Sequence, residues 1–387
     1  MTDFSALSLA PSLIESLHMQ GITQPTAVQE KVIPLLLEKQ PVFFESETGT
    51  GKTLAFLLPF LTLYGKAAVS AANPSLIVVT PTIELAAQIK AQLFTLKDEN
   101  GNPFKSMLCV GGSSIKRQIE GLKDKPFAVI GTAARLIELV NLKKLKLHAL
   151  RSLVVDEADR QLAKEQRALL KTLLAFVAPS VHIAACSATF NDVDKKTLIS
   201  FFVQHNGAFN PCLVTVRESA VMQHSIEHWA LFSDRKHKFD TLRALIHALG
   251  DAKLLIFTAP AYEVETLAQK LRYKHIEAYP LYKKVSSAER KQRLAQFKSG
   301  AVRVLVASDL SARGLDIPDV AYVIQLTLSN DRQAFIHRAG RTGRAGKQGV
   351  NIVIGDEYEL RILQKLEKKL NIAVQPKGLF DGKIVTP

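Results

Sequence analysis

A glycine-rich turn near the start of the chain carries the residue types that bind a phosphate group. The segment Ser46-Glu-Thr-Gly-Thr-Gly-Lys-Thr53 follows an apolar run at residues 42–44 and opens an apolar stretch of helical period. Glycines at two positions allow backbone N–H groups to turn inward around phosphate oxygens. Lys52 has the reach for the β- and γ-phosphates, and the Thr53 hydroxyl has the chemistry to hold Mg²⁺. The predicted nucleotide site consists of Ser46, Glu47, Thr48, Gly49, Thr50, Gly51, Lys52 and Thr53.

A second apolar run, at residues 153–155, ends in four residues of which three are acidic, Asp156-Glu157-Ala158-Asp159. A carboxylate at the end of a hydrophobic strand is what a phosphate-loop enzyme uses to hold Mg²⁺, so Asp156 is assigned to the metal together with Thr53. Glu157 is placed to take a proton from an attacking water. The alternative for Asp156 is a helix N-cap only, and the phosphate loop favours the metal role.

Three arginines recur at intervals of three residues in the last quarter of the chain, at Arg338, Arg341 and Arg344. If this segment is helical, the three side chains share one face, because residues three apart are neighbours on a helix. A guanidinium beside a γ-phosphate stabilises the charge on its oxygens and raises the rate of phosphoryl transfer by orders of magnitude. The alternative is a basic face that contacts nucleic acid.

Short apolar runs alternate with stretches of helical period along most of the chain. The runs are continuous rather than alternating, which is typical of strands buried on both faces of a parallel sheet. Helical period is clearest at residues 84–96 and 161–176. This rhythm predicts doubly wound α/β sheets. The predicted strands lie at 42–44, 76–79, 107–110, 127–130, 153–155, 182–186, 254–257, 304–307, 321–324 and 351–354.

Length and charge predict two domains. The chain has 387 residues, and about 150 residues per domain is usual. The strand pattern lapses around residues 204–223, which predicts a first domain at 1–210, a linker at 211–224, a second domain at 225–372 and a weakly structured tail at 373–387. The net charge is +14; residues 1–212 contribute +4 and residues 213–387 contribute +10. The excess of basic residues points to a polyanionic partner.

Composition excludes several classes of protein. With 47% hydrophobic and 22% charged residues the chain is neither disordered nor collagenous. Three isolated cysteines exclude a disulfide scaffold and make a zinc site or a dithiol redox centre unexpected. The longest uncharged stretch, at 67–83, is broken by Asn73, Pro74 and Pro81, so no membrane span is predicted. With no signal peptide read at the N-terminus, the expected location is the cytoplasm.

The acidic tetrad is also a family signature. With Asp156-Glu-Ala-Asp159 the chain resembles the DEAD-box family of ATP-dependent RNA helicases in superfamily 2. This resemblance implies two tandem RecA-like doubly wound parallel-sheet domains, ATP and Mg²⁺ as cofactors, and RNA as the partner. Other family motifs follow in order: the Q motif at 21–29 with Phe4 upstream, motif I at 46–53, motif Ia at 81–88, motif III at 187–189, motif V at 308–316 and motif VI at 337–344.

Adenine recognition is assigned through the Q motif. The amide of Gln29 both donates and accepts, which suits the edge of adenine, and Phe4 has a ring that could cover a base. Gln24 belongs to the same motif. The alternatives are that Phe4 is an N-terminal core anchor and that Gln29 is a solvated helix residue.

The second domain completes the site that the resemblance implies. Arg341 and Arg344 are the arginine fingers, His337 links the site to motif III, and Gly314 and Asp316 belong to the nucleotide side. Because the phosphate loop and the fingers fall in different domains, we expect hydrolysis to require closure across the linker, favoured by RNA. The residues expected to couple the domains are Asp159, Ser187, Thr189 and Arg338.

RNA contacts are expected mainly to phosphate and sugar, and therefore without strong sequence preference. Several of the small hydroxyl residues have turn or cap roles as an alternative. A basic cluster at Lys283, Lys284, Arg290, Lys291 and Arg293 is either part of the RNA track or a solvated helix face. The residues that match the family's RNA-contact motifs are Pro81, Thr82, Gly112, Thr132, Arg135, Arg290, Ser308, Arg313 and Gly314.

Departures from the family pattern fall near RNA contacts and not at the ATP chemistry. They are Ile83, Ala133, Ala134, Ser287 and the stretch at 325–328. The expected function is RNA-stimulated ATP hydrolysis by a monomer that unwinds short duplexes or remodels RNA–protein complexes, with protein partners in ribosome assembly or RNA decay. Two alternatives stay open, an ATP-gated RNA clamp or scaffold with little unwinding, and a DNA-directed ATPase of superfamily 2.

Overall fold

The structure, a computed structural model, describes residues 3–46, 49–66, 74–207, 209–216, 226–282, 285–308, 320–343 and 348–386. The chain forms two compact units, Met1–Arg217 and Glu218–Pro387. Each unit is built around its own sheet. Among the described residues, no helix has both the length and the apolar character needed to cross a membrane.

The first unit contains a seven-stranded sheet in which every described strand pair is parallel. Its strands are β1 (Val42–Ser46), β2 (Leu76–Val79), β3 (Ser106–Cys109), β4 (Ala128–Gly131), β5 (Ser152–Val155), β6 (His182–Ser187) and β7 (Cys212–Val216). Their order in the sheet is β3-β4-β2-β5-β6-β1-β7. The site depends on one consequence of this order: β5, β6 and β1 are neighbours although they are far apart in sequence.

Helices cover both faces of this sheet. After a short 3₁₀ turn (Phe4–Leu7) they are α1 (Pro11–His18), α2 (Ala27–Leu37), α3 (Lys52–Tyr64), α4 (Ile83–Thr95), α5 (Ile115–Leu122), α6 (Ala133–Asn141), α7 (Ala158–Gln161), α8 (Lys164–Leu174) and α9 (Asp192–Asn206). Successive strand residues point to opposite faces, so Phe44 belongs to one apolar core and Phe43 to the other. Burial on both faces explains the unbroken apolar runs of the sequence.

The second unit has an eight-stranded sheet and the same layered arrangement. Its strands are β8 (Ile226–Phe232), β9 (Leu254–Phe257), β10 (Ala278–Leu281), β11 (Val304–Ala307), β12 (Tyr322–Gln325), β13 (Gly349–Gly355), β14 (Val374–Phe380) and β15 (Lys383–Val385). They are ordered β10-β11-β9-β12-β13-β8-β14-β15, and only β14 and β15 pair antiparallel. The described helices are α10 (Lys238–Ala248), α11 (Ala261–Tyr273), α12 (Ser287–Ser299), α13 (Arg332–Ala339) and α14 (Glu357–Leu370).

The sheets confirm the predicted fold class, and two local predictions are wrong. Part of the predicted linker is strand β7, which pairs with β1. Most of the predicted tail is the β14–β15 hairpin, and β14 pairs with β8, with Val374 beside His228. Both segments are half-exposed, so they lack the continuous apolar run by which the buried strands were recognised. The predicted helix at 161–176 also begins later, as α8 at Lys164.

Candidate functional site

The predicted site residues of the first unit follow the carboxyl ends of its strands, where ligands bind in open α/β sheets. The sheet order separates them into two groups. The phosphate loop, the acidic tetrad and motif III follow the neighbouring strands β1, β5 and β6. The residues assigned to RNA follow β2, β4 and β3, which are also neighbours. One half of the sheet edge thus carries the nucleotide residues and the other half the RNA residues.

The phosphate loop is closed on itself through its own side chains. Ser46 Oγ lies 2.7 Å from Thr50 Oγ1, and both residues are buried. Lys52 Nζ donates to the backbone oxygen of Ser46 at 2.6 Å. Gly49 and Gly51 have φ angles of 86° and 89°, a left-handed conformation that glycine adopts without strain. Since α3 begins at Lys52, the positive end of its dipole faces this loop.

Gln29 connects the Q motif to the phosphate loop. Its Oε1 accepts from the Thr26 backbone N–H at 3.0 Å, and its Nε2 donates to the Gly51 backbone oxygen at 3.1 Å. The side chain is 2% exposed, so the solvated alternative is wrong. A Cβ added to Gly51 would lie 2.4 Å from Gln29 Nε2, which shows how closely the loop packs on this amide.

The other two Q-motif residues are placed differently. Gln24 is exposed on a bend before α2. Phe4 has no exposed surface and packs in the core with Leu7 and Leu17. In this structure Phe4 is an N-terminal core residue, which is the alternative to adenine stacking. Its ring has no exposed face on which a base could stack.

Asp156 lies at the centre of the nucleotide half. Its Oδ1 accepts two hydrogen bonds, from the Glu157 backbone N–H at 2.9 Å and from Cys186 Sγ at 3.1 Å. The residue is 6% exposed. Burial raises the pKa of this carboxyl, and the Cys186 hydrogen bond and the Lys52 charge oppose the rise. Burial also raises the pKa of the Cys186 thiol well above its usual value, as does Asp156, so the thiol is protonated and donates.

Lys52 carries the complementary charge. Burial lowers the pKa of its ammonium, and the charges of Cys186, Asp156 and Glu157 act in the opposite direction. A half-buried cation beside a buried carboxylate is matched by a ligand that brings both signs of charge, and a triphosphate with Mg²⁺ does so. The described residues include no group of three His, Cys, Asp or Glu side chains able to form a metal site.

Glu157 begins the short helix α7 in a left-handed conformation. Its φ angle is 47°, a conformation that costs about 1–3 kcal/mol in a non-glycine residue and clusters at functional sites. Arg160 Nη1 lies 2.8 Å from Glu157 Oε2, and both side chains are 12% exposed. The proposed base is therefore ion-paired within its own helical turn, a partnership that the sequence analysis did not predict.

Motif III contacts the last residue of the acidic tetrad directly. Thr189 Oγ1 donates to Asp159 Oδ2 at 2.9 Å. Ser187 Oγ donates to the Thr189 backbone oxygen at 3.0 Å, and the Thr189 backbone N–H lies 3.2 Å from Ser187 Oγ. The last pair of neighbouring residues on β5 and β6 is Val155 and Ala185. The Thr189–Asp159 hydrogen bond therefore joins the two strands through side chains beyond the point where their backbones pair.

The second unit corrects the prediction of one helical face for the arginines. Helix α13 ends at Ala339, because Gly340 follows and the chain turns. Arg338 points into the unit, where Nη1 donates to the Thr327 backbone oxygen at 2.5 Å and the guanidinium lies over the Phe257 ring. Arg341 lies beyond the helix, and its Nε donates back to the His337 backbone oxygen at 3.2 Å. His337 and Arg341 are both buried.

Arg338 also touches a buried polar chain that crosses the second sheet. Its Nη1 lies 3.4 Å from Gln325 Oε1, and Gln325 Nε2 donates to Asn351 Oδ1 at 2.9 Å. Asn351 Nδ2 lies 3.2 Å from His228 Nδ1. Gln325 and Asn351 have no exposed surface. Strands β12, β13 and β8 each contribute one member, so only the sheet order brings them together.

The RNA half of the first unit is made of caps and turns. Thr82 caps α4 by accepting from the Leu85 backbone N–H at 3.3 Å, and Pro81 precedes it, half-buried. Gly112 has a φ angle of 73°, and a Cβ there would meet Ile83 at 4.0 Å. Ile83, the first residue of α4, thus lies beside the turn at Gly112, in the place where the family pattern has an arginine.

The α6 region holds the remaining RNA residues of this unit. Thr132 is the residue before α6, which begins at Ala133. Arg135 Nη1 donates to the Ser113 backbone oxygen at 3.2 Å, and its Nε pairs with Glu138 at 2.8 Å. Arg135 therefore ties the loop after β3 to α6.

In the second unit, Arg290 Nη2 donates to the Tyr282 backbone oxygen at 3.3 Å, and the Ser308 backbone N–H donates to the Leu281 oxygen at 3.3 Å. Ser308 follows β11, and Arg290 reaches the end of the neighbouring strand β10 from helix α12. The other predicted site residues fall outside the described parts of the chain, together with two lysines of the basic cluster. These are Glu47, Thr48, Lys283, Lys284, Arg313, Gly314, Asp316 and Arg344.

Known proteins match nearly the whole chain. The DEAD/DEAH box helicase family matches residues 26–197, and the helicase conserved C-terminal domain matches residues 237–346. The DEAD-box ATP-dependent RNA helicase CshC of Bacillus cereus is 33% identical over 379 residues, 97% of this chain and 94% of the relative. The probable ATP-dependent RNA helicase YfmL of Bacillus subtilis is 32% identical over 372 residues, 96% of each chain.

Solved structures agree with these relatives. S. cerevisiae Dbp5 bound to RNA and ADP BeF3 is similar with a TM-score of 0.86 and 27% identity, over 98% of this chain and 96% of that one. The acidic tetrad, the phosphate loop beside it and these matches lead to one conclusion. The chain belongs to the DEAD-box family of ATP-dependent RNA helicases.

Proposed function

We propose that this chain hydrolyses ATP at the carboxyl ends of β1, β5 and β6, and that RNA bound to the neighbouring loops stimulates hydrolysis. The turnover separates short RNA duplexes or remodels RNA–protein complexes. One observation carries the proposal. The sheet order places a closed phosphate loop, with its Lys52 cation, next to the buried carboxylate of Asp156.

Phosphate binding replaces the hydrogen bond between the Lys52 ammonium and the Ser46 carbonyl. Lys52 donates to the Ser46 carbonyl in this structure, and we propose that it transfers this interaction to the β- and γ-phosphates. Thr53 and Asp156 would hold Mg²⁺, which when bound neutralises phosphate charge. Gln29 holds the loop from the adenine side, with one N–H and one carbonyl lone pair of its amide still unassigned by the described contacts.

Proton transfer is assigned to Glu157. Its carboxylate is ion-paired with Arg160, and we propose that this pair orients it until water is positioned. Arg341 and Arg344 are proposed to stabilise the charge of the transferring phosphoryl group, with His337 as their link to motif III. Gly314 and Asp316 are proposed on the nucleotide side, and Asp159, Ser187, Thr189 and Arg338 as the residues that couple nucleotide to RNA.

RNA recognition is proposed through backbone groups, helix starts and arginines and not through base edges. Thr82 and Thr132 precede the first turns of α4 and α6, where N–H groups and the helix dipole attract phosphate. Arg135 adds charge beside these loops, and Arg290 adds charge at the end of β10 in the second unit. Affinity should fall steeply with added salt, because phosphate contacts release counterions.

The deciding experiment is the ATPase rate with and without RNA, in the wild type and in Glu157→Gln. We expect strong stimulation by RNA in the wild type and a fall of roughly 100-fold or more in the variant, the usual size of general-base catalysis. Glu165→Gln is the matched control, since Glu165 is an exposed acid in the first turn of α8. Unchanged turnover in Glu157→Gln would remove Glu157 from the proposal.

Displacement of a short RNA duplex separates the helicase from its alternatives. We expect displacement with saturating ATP. Intact RNA-stimulated hydrolysis without displacement would favour an ATP-gated clamp, which the altered loops around Ile83 and Ala133 would explain. Equal stimulation by single-stranded DNA would favour a DNA-directed enzyme.

The cytoplasm is the proposed location. All three cysteines are free, and Cys109 and Cys186 are buried, as expected in a reducing compartment. We propose a monomer, with protein partners in ribosome assembly or RNA decay.

A further inference from the structure

Cys186 lies in the centre of the nucleotide half, between the phosphate loop and Asp156. Strand β6 pairs with β1 on one side and β5 on the other, with Cys186 beside Phe44 and Ala185 beside Val155. The next residue pair along β5 and β6 is therefore Asp156 and Cys186. Cys186 has no exposed surface, and its Sγ lies 3.1 Å from Asp156 Oδ1.

The described side-chain hydrogen bonds of Asp156 all end on one oxygen. Oδ1 accepts from the Glu157 backbone N–H and from the Cys186 thiol. Rotation of a carboxylate about its last bond is otherwise soft, because such terminal torsions have broad minima. Two donors thus hold Oδ1, and none of the described side-chain hydrogen bonds of Asp156 uses Oδ2.

We propose that Cys186 is a positioning residue for the metal carboxylate: its thiol fixes the rotation of Asp156 so that Oδ2 faces Mg²⁺. This rests on the proposed role of Asp156 in holding Mg²⁺. The alternative for a buried cysteine is a small apolar filler. Alanine keeps most of the volume of Cys186 but has no donor, whereas serine keeps a donor. If the thiol positions Asp156, metal affinity should fall in Cys186→Ala and stay in Cys186→Ser. If Cys186 only fills space, metal affinity should stay in Cys186→Ala.

The experiment measures Mn²⁺ binding to the full chain with ADP, by electron paramagnetic resonance, so that no turnover is involved. We expect Cys186→Ala to weaken Mn²⁺ affinity roughly 10-fold, the lower end of the effect of losing an outer hydrogen-bond partner of a metal ligand. Cys186→Ser should restore affinity to within about 2-fold of the wild type. Cys109→Ala is the matched control, because Cys109 is also buried, at the end of β3, and should leave Mn²⁺ affinity unchanged.

A spectroscopic measurement tests the contact independently of metal. The S–H stretching band of Cys186, obtained as the infrared difference between the wild type and Cys186→Ser, should move to higher frequency in Asp156→Asn, where a neutral amide replaces the carboxylate acceptor. This comparison decides the proposal if Cys186→Ala fails to fold.

Three results would overturn the proposal. Wild-type Mn²⁺ affinity in Cys186→Ala alongside lost affinity in Asp156→Asn would make Cys186 a filler. A loss in Cys186→Ser equal to that in alanine would remove the donor role, and so would an S–H band that does not move. If instead Asp156→Asn itself binds Mn²⁺ and hydrolyses ATP normally, the metal role of Asp156 fails, which is a separate outcome.

Discussion

The Gln29 side chain donates a hydrogen bond from Nε2 to the backbone oxygen of Gly51 across 3.1 Å. These residues are 22 positions apart in sequence, on helix α2 and on the last turn of the phosphate loop. The contact makes the shape of the loop depend on an amide that is assigned to adenine. The Q motif and the phosphate loop are thereby linked through one side chain.

Removing this amide should weaken ATP binding more than it weakens the fold. In Gln29→Ala the loop loses one hydrogen bond to Gly51 and the Q motif loses one to Thr26, each worth about 1 kcal/mol, so we expect KM for ATP to rise roughly 10-fold. Steady-state ATPase kinetics measure this. Gln92→Ala, on the surface of α4, serves as the control. An unchanged KM in Gln29→Ala would mean that the phosphate loop keeps its shape without the hydrogen bond from Gln29 to Gly51.

The same contact can be broken from the other side. In Gly51→Ala the new Cβ collides with Gln29 Nε2 and the residue is held at a φ angle of 89°, so we expect ATP binding to be lost at concentrations that saturate the wild type. Gly101→Ala shares the left-handed conformation but meets nothing within 4 Å. It should keep wild-type affinity in a fluorescent nucleotide titration, which separates collision from backbone strain. Comparable losses in both variants would assign the effect to strain alone.

The hydrogen bond from Thr189 to Asp159 should make their substitutions non-additive. We expect Thr189→Ala and Asp159→Asn each to lower the RNA-stimulated kcat, and the double variant to be no worse than the more impaired single variant. Coupling of roughly 1–3 kcal/mol is usual for a hydrogen bond to a charged group. A double-mutant cycle on kcat measures it. Additive losses would show that the two side chains act separately.

The buried carboxylate of Asp156 should cost stability at neutral pH. Its pKa is raised by burial, so the folded state binds the proton more tightly than the unfolded state does, and the penalty is full above the folded-state pKa. Asp156→Asn should therefore raise the melting temperature at pH 8, with a gain on the order of 1 kcal/mol, while abolishing ATPase activity. The gain should shrink as the pH falls through the raised pKa of this carboxyl, because protonation of the wild type removes the buried charge.

Circular dichroism melts at pH 8 and pH 5 measure this effect. Asp124→Asn, an exposed aspartate, should show no gain at either pH. A melting temperature for Asp156→Asn below the wild type at pH 8 would show that the hydrogen bonds and the Lys52 charge outweigh burial.

The polar chain across the second sheet should be sensitive to the loss of any member. In Asn351→Leu, Gln325 and His228 each lose a buried partner, and an unsatisfied buried group costs about 1–3 kcal/mol. The single tryptophan, Trp229, lies on β8 of this unit, so its fluorescence reports the unfolding of the unit in urea. Gln269→Leu, on the exposed side of α11, should have little effect. Equal midpoints for both variants would contradict a structural role for the chain.

The sequence predicted most of the buried strands and all of the motifs that the structure describes. Runs such as Leu76–Val79 and Leu254–Phe257 begin and end where the pattern placed them, because strands covered on both faces must be apolar throughout. Strands β7 and β14 were missed because both are half-exposed, and their polar residues interrupt the apolar run by which buried strands are recognised. The helix end at Ala339 was missed because a regular spacing of arginines does not show where a helix stops.

Residue identity by itself determined which functional groups are available: a glycine-rich loop with a lysine, a group of carboxylates and a set of arginines. Only the tertiary structure decided which of these residues touch. Strands β1, β5 and β6 become neighbours through the winding of the sheet, and no local pattern encodes that order. Cys186 illustrates the difference, since in sequence it is an isolated cysteine and in the fold its thiol lies 3.1 Å from Asp156 Oδ1. The register of neighbouring parallel strands is set by packing over the whole domain, so such contacts appear only once the sheet is assembled.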